Sequence, residues 1–164
     1  MSTITVRQPV QHIPRFRKWL VSRTAVGQAI APFGLEPIYP YGVHASYIYT
    51  DDDGVAALLP NLILKSSLYK EHVFSCINYA FEVWQICGKR YGLNTWVPVI
   101  GRIPNYEDRH AWVLIMVGNE HGLIPDKFLY FEPNDGWMMG KELEAAYQAF
   151  PIGSEGYKGE LIFY

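Results

Sequence analysis

What most constrains this chain is a change of hydrophobic period after residue 91. Between residues 75 and 91 apolar side chains recur at three- and four-residue steps, through Ile77, Ala80, Phe81, Trp84 and Cys87, and Gly88 and Gly92 mark the end. That spacing predicts one amphipathic helix over 75–91 with Ser75 as its N-cap. From residue 94 the pattern turns to short β-branched and aromatic runs at 94–100, 110–117 and 128–132, separated by loops at 101–109 and 118–127. A helix followed by a mostly antiparallel sheet is an α+β arrangement. With 164 residues, 49% hydrophobic and 18% charged, the chain suits a single domain over 1–164 with room for a real core.

The N-terminal third is broken up by Pro9, Pro14, Pro32, Pro37 and Pro40 and by Gly27, Gly34 and Gly42. Between these, residues 15–31 predict a helix whose apolar face is Phe16, Trp19, Leu20, Val26 and Ile30. Residues 39–50 read as an extended segment running into Asp51-Asp52-Asp53-Gly54. That acidic triplet lacks the alternating oxygens and closing glutamate of a calcium loop, so it reads as a turn or as the cap of a helix over 54–59. Towards the C-terminus, residues 141–150 predict a helix and 160–164 a final strand. No internal repeat or low-complexity tract occurs.

Net charge is only −2, which gives no global drive towards nucleic acid or an anionic membrane. The basic residues are uneven, since segment 1–35 carries Arg7, Arg15, Arg17, Lys18 and Arg23 with no acidic residue before Glu36. Within it, Arg15-Phe16-Arg17-Lys18-Trp19 interleaves cations with aromatics, yet five charges are few for a phosphate track, and a solvated face is favoured. The run Trp19-Leu20-Val21 is too short for a secretory signal, and no apolar stretch approaches the roughly 20 residues that span a bilayer. Cys76 and Cys87 would stand about 16 Å apart on one helix, too far for a disulfide. A soluble, cytoplasmic protein with reduced thiols is the expectation. Zinc-type Cys/His spacing and phosphate-binding glycine loops are missing from the sequence.

Chemistry points to Cys76, His110 and Glu132. Cys76 falls at the first helical position, where the partial positive charge and open N–H groups favour a thiolate. His110 opens one strand and Glu132 closes the next. Side chains alternate, so His110, Trp112, Leu114 and Met116 share a face, as do Phe128, Tyr130 and Glu132. In an antiparallel hairpin the start of the first strand lies beside the end of the second. The simplest register sets His110 opposite Glu132, Trp112 opposite Tyr130 and Leu114 opposite Phe128, and a slip of one residue would turn Glu132 to the wrong face. Such a trio supplies a nucleophile, its base and an orienting group for attack on an amide, ester or thioester carbonyl, with the Cys76 N–H as half of an oxyanion hole. Each residue alone has a plainer reading: a small buried thiol, a surface imidazole, the end of a strand. Their order and contexts together favour the catalytic one.

The pieces Cys76-Ile77-Asn78-Tyr79-Ala80, His110-Ala111-Trp112 and Tyr130-Phe131-Glu132-Pro133-Asn134-Asp135-Gly136-Trp137 resemble the papain-like and transglutaminase-like cysteine enzyme superfamily. More narrowly, they are similar to small bacterial and phage domains related to the cysteine-protease domain of a fungal chimeric lectin. The resemblance covers about residues 69–137. It implies a papain-like α+β fold with Cys76 as nucleophile, His110 as base and Glu132 as third member, and Asn134 or Asp135 as substitutes in that last role. Two places depart from the pattern: Ile77 and Asn78 stand where relatives often carry acidic residues, and Tyr69-Lys70-Glu71 where a papain-type oxyanion glutamine would lie.

The expected activity is a cysteine-dependent hydrolase or acyltransferase acting on an amide-type bond of a peptide or protein. Trp112, Tyr130, Asn134 and Trp137 are expected to line the substrate. No cofactor is called for, although some relatives depend on calcium. The alternative is a non-catalytic binding or assembly module on the same fold, with self-association through a tyrosine-rich surface.

Overall fold

A computed structural model describes residues 13–38, 44–70, 73, 75–135, 149–153 and 156–164. In chain order its elements are β1 (Trp19–Ser22), α1 (Arg23–Ile30), β2 (Glu36–Pro37), β3 (Ser46–Tyr49), α2 (Asp52–Leu58), α3 (Cys76–Ile86), β4 (Trp96–Arg102), β5 (His110–Ile115), β6 (Gly118–Asn119), β7 (Gly122–Leu123), β8 (Leu129–Phe131), β9 (Ala149–Pro151) and β10 (Lys158–Ile162). The main sheet runs β2-β10-β4-β5-β8-β9, antiparallel throughout except for the parallel pair of β2 and β10. The molecule is α+β, with three α-helices among the described residues and a mixed sheet.

Both faces of the sheet are covered, which explains why β5 is buried at every position. On one face Ala80 and Val83 of α3, with Cys87 just past its end, pack with Ala111, Val113 and Ile115 of β5 and Phe131 of β8. On the other, Val26, Ala29 and Ile30 of α1 pack with Val97, Val99, Trp112, Leu114 and Tyr130. Each fully buried Val, Leu or Ile here contributes about 1.5–3 kcal/mol through removal from water.

Helix α3 begins and ends where its sequence directs. Ser75 is extended (φ −108°), and its N–H donates to the Asn78 side-chain oxygen at 2.9 Å, closing the first turn. The helix widens into a π-type turn at Cys87–Tyr91 and stops at Gly92, which takes the left-handed conformation (φ 64°) that glycine adopts without strain. Asp51 caps α2 in the same local manner, its carboxylate accepting from the Gly54 N–H at 3.0 Å.

The N-terminal segment departs from expectation. Residues 15–31 do not form one helix: β1 occupies Trp19–Ser22 and pairs with β3, and α1 starts only at Arg23. The cause is local, because Ser22 accepts from the Ala25 N–H at 3.2 Å and fixes the helix start there. Upstream of it, alternation takes over from helical spacing, with Trp19 and Val21 half-buried and Leu20 and Ser22 exposed. Trp19 stacks on Tyr49 of the partner strand, ring centroids 5.9 Å apart. Two cations of this segment are engaged internally: Arg17 pairs with Asp51 at 2.7 Å, and the Lys18 ammonium donates to the Tyr91 carbonyl at 3.0 Å. A helix over 141–150 lies mostly outside the described residues, and its last two positions, Ala149 and Phe150, belong to β9. Among the described residues no helix is long and apolar enough to cross a membrane.

Candidate active site

Three elements converge at one end of the sheet. Cys76 is the first residue of α3, His110 the first of β5, and Glu132 directly follows β8. The register between the two strands is Val113↔Phe131, Leu114↔Tyr130 and Ile115↔Leu129, two residues away from the simplest expectation. Parity survives an even offset, so Glu132 keeps the face of His110 and meets it diagonally instead of head-on. The extra length is taken up by the β6–β7 hairpin and the turn at Pro125–Lys127, which delay the start of β8.

His110 Nε2 and Glu132 Oε2 are 2.7 Å apart in a site where the two residues are 2% and 4% exposed. The thiol of half-buried Cys76 hydrogen-bonds the same imidazole. Because Nε2 is committed to Glu132, Nδ1 is the ring nitrogen left for the sulfur. The Ala111 backbone N–H also supports the sulfur, a donor that side-chain motifs do not reveal. Glu132 in turn accepts from the Asn134 backbone N–H.

The titration directions follow from these contacts. Burial raises the Cys76 thiol, but the hydrogen bond and positive charge of His110, with the Ala111 N–H, outweigh it and lower the pKa. Burial alone would depress His110, yet its bonds to Cys76 and Glu132 push it up to about 9. For Glu132 burial wins over the attraction of His110, and its pKa is raised. The result favours a thiolate beside an imidazolium, the charge of each stabilising the other. Cys87, deep in the core against apolar side chains, is pushed the opposite way by burial alone.

The imidazole is boxed by aromatic rings. Trp112 stacks against it (centroids 6.1 Å, 28° between planes), while Tyr106 and Tyr157 meet it edge-on at 6.3 and 6.5 Å. Trp112 and Tyr130 were expected to line the substrate, but they are 0% and 2% exposed and belong to the core behind His110. In-out alternation puts them on the His110 face, and α1 covers that face. Asn134 is also buried, bridging to Leu64, and Trp137 lies outside the described residues. Of the substitutes for the third member, Asp135 accepts from the Ser66 N–H at 2.5 Å instead, and Glu132 is the residue that meets His110.

Tyr106 and Tyr157 escaped sequence reasoning, since neither carries a motif. Tyr106 comes from the loop joining β4 and β5, whose base is pinned by Glu160 of β10. That carboxylate accepts from Arg102 Nε at 3.1 Å and pairs with Arg109, next to His110, at 3.0 Å. Among the described residues no group of three or more His, Cys, Asp or Glu is arranged to hold a metal ion. No protein-family model matches the chain, and no curated protein matches it.

Proposed function

We propose that the protein is a cysteine-dependent hydrolase or acyltransferase acting on amide-type bonds of a peptide or protein, through Cys76, His110 and Glu132. The observation that carries this reading is the buried 2.7 Å His110–Glu132 contact with a thiol at a helix N-terminus on the same imidazole. A helix-borne cysteine followed by a histidine and an acid on neighbouring antiparallel strands also supports a papain-like form of the α+β fold.

In this mechanism the Cys76 thiolate attacks the carbonyl carbon, and the resulting oxyanion is met by the Cys76 backbone N–H. Collapse breaks the C–N bond as the His110 imidazolium gives its proton to the departing amine, leaving a thioester on Cys76. Water or a second amine, losing a proton to His110, attacks that thioester and restores the thiol. Glu132 holds the ring and stabilises its cation throughout. The side chains supply every proton, so the cycle needs no cofactor. Two free cysteines, one of them required as a thiolate, suit a reducing cytoplasm.

Iodoacetamide alkylation followed by peptide mass spectrometry tests the reading. Cys76 should label rapidly well below pH 8, and His110→Ala should slow it at least tenfold while Cys87 stays inert in both proteins. Slow labelling of Cys76 that ignores the substitution would assign the thiol a structural role and favour a binding module.

A further inference from the structure

A depression of about 540 Å³ lies where residues 13–18 meet the π-type turn at the end of α3, and Arg15, Lys18 and Arg90 line it together. That is the volume of a small-molecule site. The Lys18 ammonium is held in place, donating to the Tyr91 carbonyl at 3.0 Å and standing 5.6 Å from the centre of the Phe16 ring. The carbonyl uses one of its three N–H groups. The Arg90 guanidinium stands 5.9 Å from the centre of the Tyr91 ring, and the Phe16 and Tyr91 rings meet edge-on with centroids 6.3 Å apart. Arg15 is exposed and forms no ion pair among the described residues. None of the side chains lining the depression is acidic, and residues 1–12, which precede Ile13, contain no Asp or Glu. Asp51 and Asp53 line an adjoining depression that Arg15 also borders, and both pair with Arg17, at 2.7 and 3.8 Å.

We propose that this depression binds a small phosphate monoester with an apolar or aromatic body. The inference is independent of the cysteine-enzyme reading, because the turn carrying Arg90 closes the helix that Cys76 opens, roughly 20 Å away at about 1.5 Å per residue. Like charges around one depression repel one another, and an anion set between them turns that repulsion into attraction. A phosphate monoester carries close to two negative charges at neutral pH over three acceptor oxygens, so it can face all three cations at once. A carboxylate offers one charge and two oxygens. Arginine presents a planar fork of donors to such oxygens, and lysine a compact charge. Beside the cations, Ile13, which is 53% exposed, Pro14 and Phe16 offer apolar surface to the rest of the ligand. The pattern of Arg15 to Trp19 read alone favours a solvated face; what the fold adds is Arg90, brought in from the far end of α3.

Isothermal titration calorimetry at low salt with phenyl phosphate, inorganic phosphate and phenol tests the site. Phenyl phosphate should bind with a single-site isotherm in the millimolar range or tighter, inorganic phosphate several-fold more weakly, and phenol without saturation. Arg15→Gln, at an exposed side chain, should weaken phenyl phosphate at least fivefold, and Arg90→Gln likewise, with urea midpoints equal to that of the parent. If Arg90→Gln lowers the midpoint, Arg15→Gln carries the test alone. No saturable binding of phenyl phosphate, equal binding of phenol, or affinity that survives Arg15→Gln would each overturn the site. Phosphatidylcholine vesicles containing phosphatidic acid present the same phosphate monoester from a lipid. Sedimentation with them, without saturable binding of phenyl phosphate, would assign the three cations to a membrane surface and overturn the small-molecule site. Binding is read as heat and not at Cys76, so the failure of this site and the failure of the enzyme reading are separate results.

Discussion

At the scale of single residues, the decisive relation is between one imidazole and the two groups it bridges. Glu132 holds the proton on His110, and the imidazolium holds the negative charge on Cys76. Glu132→Gln keeps a hydrogen-bonding side chain but removes the charge, so the His110 pKa should fall from about 9 towards its ordinary 6.5. In the proposed mechanism the imidazolium is the group that would protonate the departing amine, and it persists up to about pH 9 in the parent and is lost at lower pH in the variant. The alkaline limb of kcat/KM should therefore move down by a unit or more, with a rate loss on the order of a hundredfold or greater. A pH–rate profile of both proteins on one peptide substrate measures this, and an unmoved alkaline limb would release Glu132 from its role. These three residues were readable in the sequence because each sits at the boundary of an element, where capping and strand alternation restrict the side chain. Trp112 and Tyr130 misled for the opposite reason: alternation fixes their face, but nothing in their own neighbourhood reveals that α1 covers it.

At the scale of elements, local signals proved reliable and tertiary ones did not. α3 is legible because Ser75, Asn78 and Gly92 fix its ends within the segment itself. Residues 15–31 are not, since Trp19 fits both a helical and an alternating pattern, and only the pairing of β1 with the distant β3 decides between them. The bond at Asn78 closes the turn that presents Cys76. Asn78→Ala removes the acceptor for the Ser75 N–H and frays the first turn, at a cost of about 1 kcal/mol. A lower urea midpoint together with slower Cys76 alkylation below pH 7 is the expected pair of results. Glu160 acts on the other side of the site. Glu160→Ala should free the loop over 103–109 from Arg102 and Arg109, seen as faster amide hydrogen exchange there with exchange in α3 unchanged.

For the whole molecule, the α+β class followed from the switch in hydrophobic period, whereas the strand order did not. Placing β10 between β2 and β4 depends on contacts between residues far apart in the chain, such as Gly101 with Gly159. Gly101 shows how tightly that assembly is packed. A Cβ there would stand 2.1 Å from the Lys158 carbonyl oxygen and 2.9 Å from the Trp112 ring, directly across the strand from His110. Gly101→Ala should cost about 3 kcal/mol by overpacking, read as a lowered denaturation midpoint. The same tight core has one more consequence, in the second thiol. Cys87 shares a helix with Cys76 but has no exposed surface, so it can react only when α3 lifts from β5. Its labelling rate is a native gauge of how often the scaffold breathes, and the ratio of the two cysteines separates a variant that disables the chemistry from one that loosens the fold.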